Sequence, residues 1–104
     1  MDFHFTASLT RWQSDKTTWH FITLPPDVAD GVRFFHQTVA EQQQRRGFGA
    51  IKVQVQIGEI AWSTSIFPDK ASQSFLLPVK KQVREAEDLS VGAEVAVRLS
   101  LDGL

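Results

Sequence analysis

From residue 3 to residue 9 the chain alternates: Phe3, Phe5, Ala7 and Leu9 are apolar, and His4, Thr6 and Ser8 are polar. Successive side chains of a strand point to opposite faces, so this period of two predicts a strand with one face buried. Residues 13–16 (QSDK) have the composition of a turn, and residues 17–24 (TTWHFITL) are rich enough in β-branched and aromatic residues to return as a hairpin. Pro25-Pro26-Asp27 then opens a helix, because proline is tolerated where the first amides lack partners anyway. Val28, Val32, Phe35 and Val39 give that helix one apolar stripe, and the polar residues 41–49 (EQQQRRGFG) end it.

The second half repeats the theme. Ile51, Val53, Val55 and Ile57 alternate with Lys52, Gln54 and Gln56, and Gly58-Glu59 suits a two-residue hairpin turn. The return strand covers residues 60–67, Pro68-Asp69-Lys70-Ala71 reads as a turn, and residues 73–77 (QSFLL) as a further strand. Pro78 is expected to open a second helix running to about Asp88, with Val79, Val83 and Ala86 inward. Gly92 precedes a last strand in which Val95, Val97, Leu99 and Leu101 alternate with Glu94, Ala96, Arg98 and Ser100. The order is ββαβ followed by ββαβ, and Leu24-Pro25 and Leu77-Pro78, 53 residues apart, mark the same point in each half. A pseudo-two-fold repeat of this kind buries two apolar sheet faces against each other. The expected fold is therefore mainly β, a closed six-stranded and mostly antiparallel barrel with two helices.

Composition narrows this further. A chain of 104 residues with 42% hydrophobic content, eight Phe and three Trp supports one domain with a continuous core. Eleven basic residues against twelve acidic ones leave a formal charge of −1, which argues against strong non-specific binding to nucleic acid. With no cysteine there is no disulfide framework and no thiolate metal site. The first residues (MDFHFTASLT) already alternate and carry an acid at position 2, unlike a signal peptide. No apolar run approaches the roughly 20 residues that span a bilayer. A soluble cytoplasmic protein is expected.

Three blocks carry a resemblance: residues 17–25 (TTWHFITLP), 46–70 (RGFGAIKVQVQIGEIAWSTSIFPDK) and 75–99 (FLLPVKKQVREAEDLSVGAEVAVRL). Together they resemble the bacterial DUF1905 family of small domains with no assigned function. The resemblance covers nearly the whole chain, so residues 1–104 are expected to form a single such domain, and it implies a split β-barrel similar to that of AbrB-like and MraZ-like proteins. The third block is itself similar to the AbrB pattern of proline, arginine-bearing helix, glycine and terminal strand. The chain departs from the family's pattern at Ala93-Glu94 and at Ser63, where a basic residue is common.

Candidate chemistry centres on the fourth and fifth strands. Trp62 and Thr64 share a strand face, Asp69 and Lys70 follow in a turn, and Lys80 lies beyond the fifth strand. Together they offer a stacking plane, a hydroxyl and point charges, a set suited to a small anionic or ring-containing ligand. The same residues also read as structure: Trp62 as core, Pro68-Asp69 as turn-formers, and Lys80 on the wet face of a helix. Arg45-Arg46-Gly47-Phe48-Gly49 leaves a helix and enters a strand, the reverse of a phosphate loop, and reads as a helix end favoured by the dipole. His4, His20 and His36 lack metal-ligand spacing; His4 and His20 are candidate cross-strand neighbours in the first hairpin. No nucleophile elbow or carboxylate pair stands out, so neither catalysis nor a cofactor nor a metal is expected. The second reading is an AbrB-like nucleic-acid binder using Arg11, Arg33, Arg45 and Arg46, and the third a protein-interaction module with an exposed apolar patch. Because both halves of the barrel lie in one chain, a monomer is expected.

Overall fold

The computed structural model describes the backbone of residues 1–43 and 49–101, and the side chains of residues 1–37 and 49–101. Six strands and two helices follow one another as β1 (Asp2–Gln13), β2 (Thr18–Thr23), α1 (Pro26–Gln43), β3 (Ile51–Ile57), β4 (Ile60–Asp69), β5 (Ser74–Pro78), α2 (Lys81–Ala86) and β6 (Glu94–Leu101). The strands close into a barrel in the order β1-β2-β5-β4-β3-β6, with every pairing antiparallel. β1 neighbours β2 and β6 as β4 neighbours β5 and β3.

The alternations seen in the sequence set the register. Phe3 lies opposite Leu99, Phe5 opposite Val97 and Ala7 opposite Val95, while Val53 and Val55 lie opposite Thr64 and Trp62. A one-residue slip would turn each of these faces to solvent, so the buried pattern itself fixes the pairing. Leu9, Ile22, Ile66, Leu77 and Leu99 are at most 1% exposed and fill the barrel. Burying a side chain of this size stabilises by about 1.5–3 kcal/mol.

The helices close opposite ends. α1 connects the finish of β2 to the start of β3, beside the start of β1, where Gly31 approaches the Phe3 ring closely enough that a Cβ would meet it at 2.6 Å. Its Val28, Ala29 and Val32 are buried and Phe35 is half-buried. The side chain of Val39, the last residue of the stripe read from the sequence, lies outside the described residues. α2 connects the finish of β5 to the start of β6 at the other end and is held by the buried Val83. The β1–β2 hairpin projects past this second end, because β1 pairs with β6 only as far as Ser8.

The second helix is shorter than the proline suggested. Pro78 is the last residue of β5, paired with Phe21, and the helix begins three residues later. Ala86 is exposed rather than inward, and Asp88 has φ 52°, a left-handed conformation outside the helix. The turn read at residues 68–71 is displaced in the same way: β4 runs on through Asp69, and the turn spans residues 70–73 with Gln73 at φ 55°.

One buried polar group ties the halves together. The Ser74 hydroxyl, 5% exposed, donates to the Leu24 carbonyl at 2.7 Å. Ser74→Ala would leave that carbonyl without this donor. It is expected to cost about 1–2 kcal/mol, read as a lower urea midpoint at unchanged slope. An unmoved midpoint would show that the bond contributes nothing.

Candidate functional site

β5 is too short to line its neighbours fully, and Pro78 explains where it stops. Val79 donates to the His20 carbonyl and Leu24 donates to the Phe75 carbonyl, so the odd-numbered residues of this segment bond towards β2. Even-numbered residues therefore bond towards β4, where Ser74 and Leu76 lie opposite Asp69 and Phe67. The next partner on that side would be Pro78, which has no N–H to donate. The β4–β5 ladder ends at Phe67, and residues 60–66 of β4 pair only with β3.

Beyond Pro78 a cleft of about 300 Å³ opens between β2 and β4. Thr18, Trp19 and His20 form one wall, Trp62, Ser63 and Thr64 the other, and Pro78, Val79, Lys80 and Arg84 the closed end. His20 is in phase with the buried Ile22 and Leu24, so it points to the interior side of β2 at the barrel mouth. Arg84 reaches it from α2: its Nε donates to the Val79 carbonyl at 3.2 Å, and one terminal nitrogen lies 3.4 Å from His20 Nε2. Burial pushes the His20 pKa below its ordinary value of 6.5, and Arg84 and Arg11 push it the same way. His20 is therefore neutral at pH 7, with Nε2 free to accept from Arg84.

The cleft's charges are all of one sign. No carboxylate is among its lining residues, and among the described residues neither Lys80 nor Arg84 has an acidic group within ion-pair distance. The nearby ion pair, Lys81 with Glu85 at 3.6 Å, is on the exposed side of α2 and leaves both cations of the cleft uncompensated.

Of the set suggested by the sequence, Trp62, Thr64 and Lys80 come together here. Asp69 and Lys70 do not: they lie where β4 ends, at the opposite end of the barrel. Asp69 accepts from the Ser72 hydroxyl at 2.7 Å and the Ser72 amide at 3.2 Å, which holds its carboxyl below the usual 3.8 and makes it a turn-former. The cleft also takes in Thr18, Trp19, Arg84 and His20, none of which the sequence groups with Trp62, Thr64 and Lys80. For His20 the signal was present, since it continues the inward phase of Ile22 and Leu24; Arg84 needed the third dimension. His4 and His20 are not neighbours, for β1 places Arg11 opposite His20 and β6 places Arg98 opposite His4.

The arginines of the nucleic-acid reading do not form one surface among the described residues. Arg33 pairs with Asp30 at 2.7 Å, donates to the Gln73 carbonyl and lies 5.8 Å from the Phe75 ring centre, at the α1 end. Arg11 sits opposite His20 at the α2 end. Arg45 and Arg46 lie outside the described residues.

A second depression, about 520 Å³, is lined by His4, Phe5, Thr6, Gln56, Gly58, Ala96, Val97 and Arg98. It is larger and lies over β1, β6 and β3, where His4, Phe5 and Thr6 pair with Arg98, Val97 and Ala96 and Gln56 pairs with Arg98. Among the described residues no group of His, Asp and Glu is placed to hold a metal ion, and no helix is long and apolar enough to cross a membrane.

A family model described as "Domain of unknown function (DUF1905)" matches residues 5–99. No curated protein matches the sequence.

Proposed function

Since the chain belongs to the DUF1905 family, whose description names no activity, we propose a function from the geometry alone: the cleft beyond Pro78 binds a small anionic, ring-bearing ligand. The supporting observation is the coincidence of two uncompensated cations, Lys80 and Arg84, with Trp19 and Trp62 in one concave space. An anion there gains charge-assisted hydrogen bonds without displacing an existing carboxylate, and its ring covers apolar surface that is otherwise wet. His20 adjusts to the ligand: an anion near Arg84 favours the protonated ring, so affinity rises as pH falls through the His20 pKa.

The test is a thermal-melt screen at low salt against aromatic carboxylates, nucleotides, sugar phosphates and a short DNA duplex. A ligand at a hundred times its dissociation constant stabilises by about 2.7 kcal/mol, a shift on the order of 10 °C for a domain of this size. Trp62→Ala and Lys80→Ala are each expected to reduce that shift by more than half. A shift that both variants retain in full would place binding elsewhere. A shift with duplex DNA alone, fading steeply with salt, would replace this reading with nucleic-acid binding.

A further inference from the structure

The outside of the barrel is divided in two. Over the start of β1, β6 and β3 the outward residues are polar or small: His4 and Thr6, Arg98 and Ala96, Gln54 and Gln56. Over the rest of β1, β2, β5 and the end of β4 they are largely apolar. Leu9, Ile22, Leu77 and Ile66 are buried inward, so their chain neighbours Thr10, Phe21, Leu76 and Phe67 point outward. The register assembles these into rows: Thr23, Leu76 and Phe67 side by side, then Thr10, Phe21 and Pro78, then Trp12 with Trp19. Directly opposed residues share a face, so the two tryptophans form one ridge at the α2 end. Trp12 and Trp19 remain 53% and 52% exposed and Phe67 43%, while Phe21, Leu76 and Pro78 between them are half-buried.

We infer that this face is where two copies of the chain meet, sheet against sheet about a two-fold axis. Closing the barrel within one chain, the ground for expecting a monomer, leaves nothing inside for a partner to complete, but it does not cover this outer face. Area and charge both fit a second copy. An aromatic side chain carries about 150–250 Å², so Trp12, Trp19 and Phe67 with the margins of the residues between them leave roughly 400 Å² of apolar surface open. The smaller stable interfaces bury about 600 Å² per partner, of which about 65% is apolar in homodimers, so the patch matches such a core. Among the outward residues of β2, β5, β4 and β1 from Ser8 onward, the one charge is Asp69, at the α1 end, and Lys80 follows β5 at the other. A two-fold that runs the two sheets' strands antiparallel brings Asp69 of each copy towards Lys80 of the other, so no like charges meet. It also seats each Trp12–Trp19 ridge over the lower Thr23 end of the other copy. The inference does not depend on the cleft's binding a ligand, because neither Trp12 nor Phe67 lines the cleft.

The experiment is sedimentation equilibrium of the intact chain from about 1 μM to 1 mM, with amide NMR spectra recorded on dilution. A monomer passing into a dimer with a dissociation constant on the order of micromolar is expected for an interface of this size. Dilution is expected to shift the amides of Thr10, Phe21, Leu76 and Phe67 and to leave those of Thr6 and Ala96 in place. Trp12→Lys and Phe67→Glu are each expected to weaken the dimer by more than tenfold, because aromatic anchors carry most of an interface's energy. Phe67 stands away from the projecting hairpin, so its variant reads the interface even where Trp12→Lys loosens the hairpin. Thr6→Glu, on the polar side of the barrel, is expected to leave the dimer unchanged. A chain that stays monomeric to about 1 mM would overturn the inference. So would a dimer that Phe67→Glu leaves intact, or one whose dilution shifts fall on β3 and β6. None of these results bears on the cleft, whose ligand response is expected to persist in Phe67→Glu.

Discussion

Leu77→Ala is expected to lower the melting temperature by about 10–30 °C, corresponding to a loss of about 2–5 kcal/mol. Leu77 is fully buried and lies opposite Ile22 in the middle of β5. β5 is the five-residue strand through which β2 reaches β4, so its inward side chain sits where the barrel closes. Two terms add: the lost transfer of the leucine side chain, and the cavity left behind. The cavity term is expected to be large, because Ile22 and Leu99 stand on strands held by ladders on both sides, and Ile66 is held to Ile51 of β3, so none moves in easily to fill it. Leu76→Ala is the internal control. Its side chain is only half-buried and faces the other side of β5, so about 1 kcal/mol is expected. The check is reversible thermal unfolding followed by circular dichroism. Similar small shifts for both variants would mean that β5 does not carry the closure.

Much of this arrangement was legible in the chain because half-buried strands write their orientation into alternate residues. β3 and β6 could be placed to within a residue or two from Ile51-Val53-Val55-Ile57 and Val95-Val97-Leu99-Leu101, and the start of β1 from Phe3-Phe5-Ala7-Leu9, although β1 runs on to Gln13, four residues past that alternation. Pro78 misled because proline has two meanings that local sequence does not separate. At a helix start its missing N–H is harmless, and at a strand end it stops a ladder. Here the second meaning holds, and it creates the cleft. The candidate site was half legible for a related reason. Trp62 and Thr64 share a face by alternation alone, and Lys80 follows β5 directly. Asp69 and Lys70 were grouped with them by closeness in sequence, yet a ten-residue strand carries its two ends to opposite ends of the barrel. Arg84 and His20 are 64 positions apart, and only the closure of β2 on β5, with the helix that follows, brings them together.

Val83→Asp is expected to have a comparably large effect and a distinctive pH dependence. Val83 is 1% exposed and is the buried residue of α2, a six-residue helix whose N-cap Lys80 makes no side-chain capping bond. So short a helix has little stability of its own and exists because that side chain is docked. The substitution loses about 1.5–3 kcal/mol of apolar burial and adds the cost of a carboxyl in an apolar site, about 1–3 kcal/mol if protonated and more if ionised. A drop in melting temperature on the order of 15–30 °C at pH 7 follows. Burial raises the folded-state pKa of the new carboxyl above its unfolded value of about 3.9. The folded state then holds a proton that the unfolded state releases, so the deficit is smallest below about pH 4 and grows as pH rises through the folded pKa. The native carboxylates Asp2 and Asp69, whose pKa values are lowered by bonds from Ser100 and Ser72, act in the opposite sense. Their stabilising effect is lost as pH falls, in wild type and variant alike, so the difference between the two isolates residue 83. Val83→Asn, which cannot titrate, is expected to show a deficit that does not vary with pH. Because α2 also carries Arg84, ligand-induced stabilisation is expected to disappear in Val83→Asp even at temperatures where the barrel is still folded. A variant that loses stability but keeps the ligand shift would separate α2 from the cleft and leave the strand edges of β2 and β4 as its only essential walls.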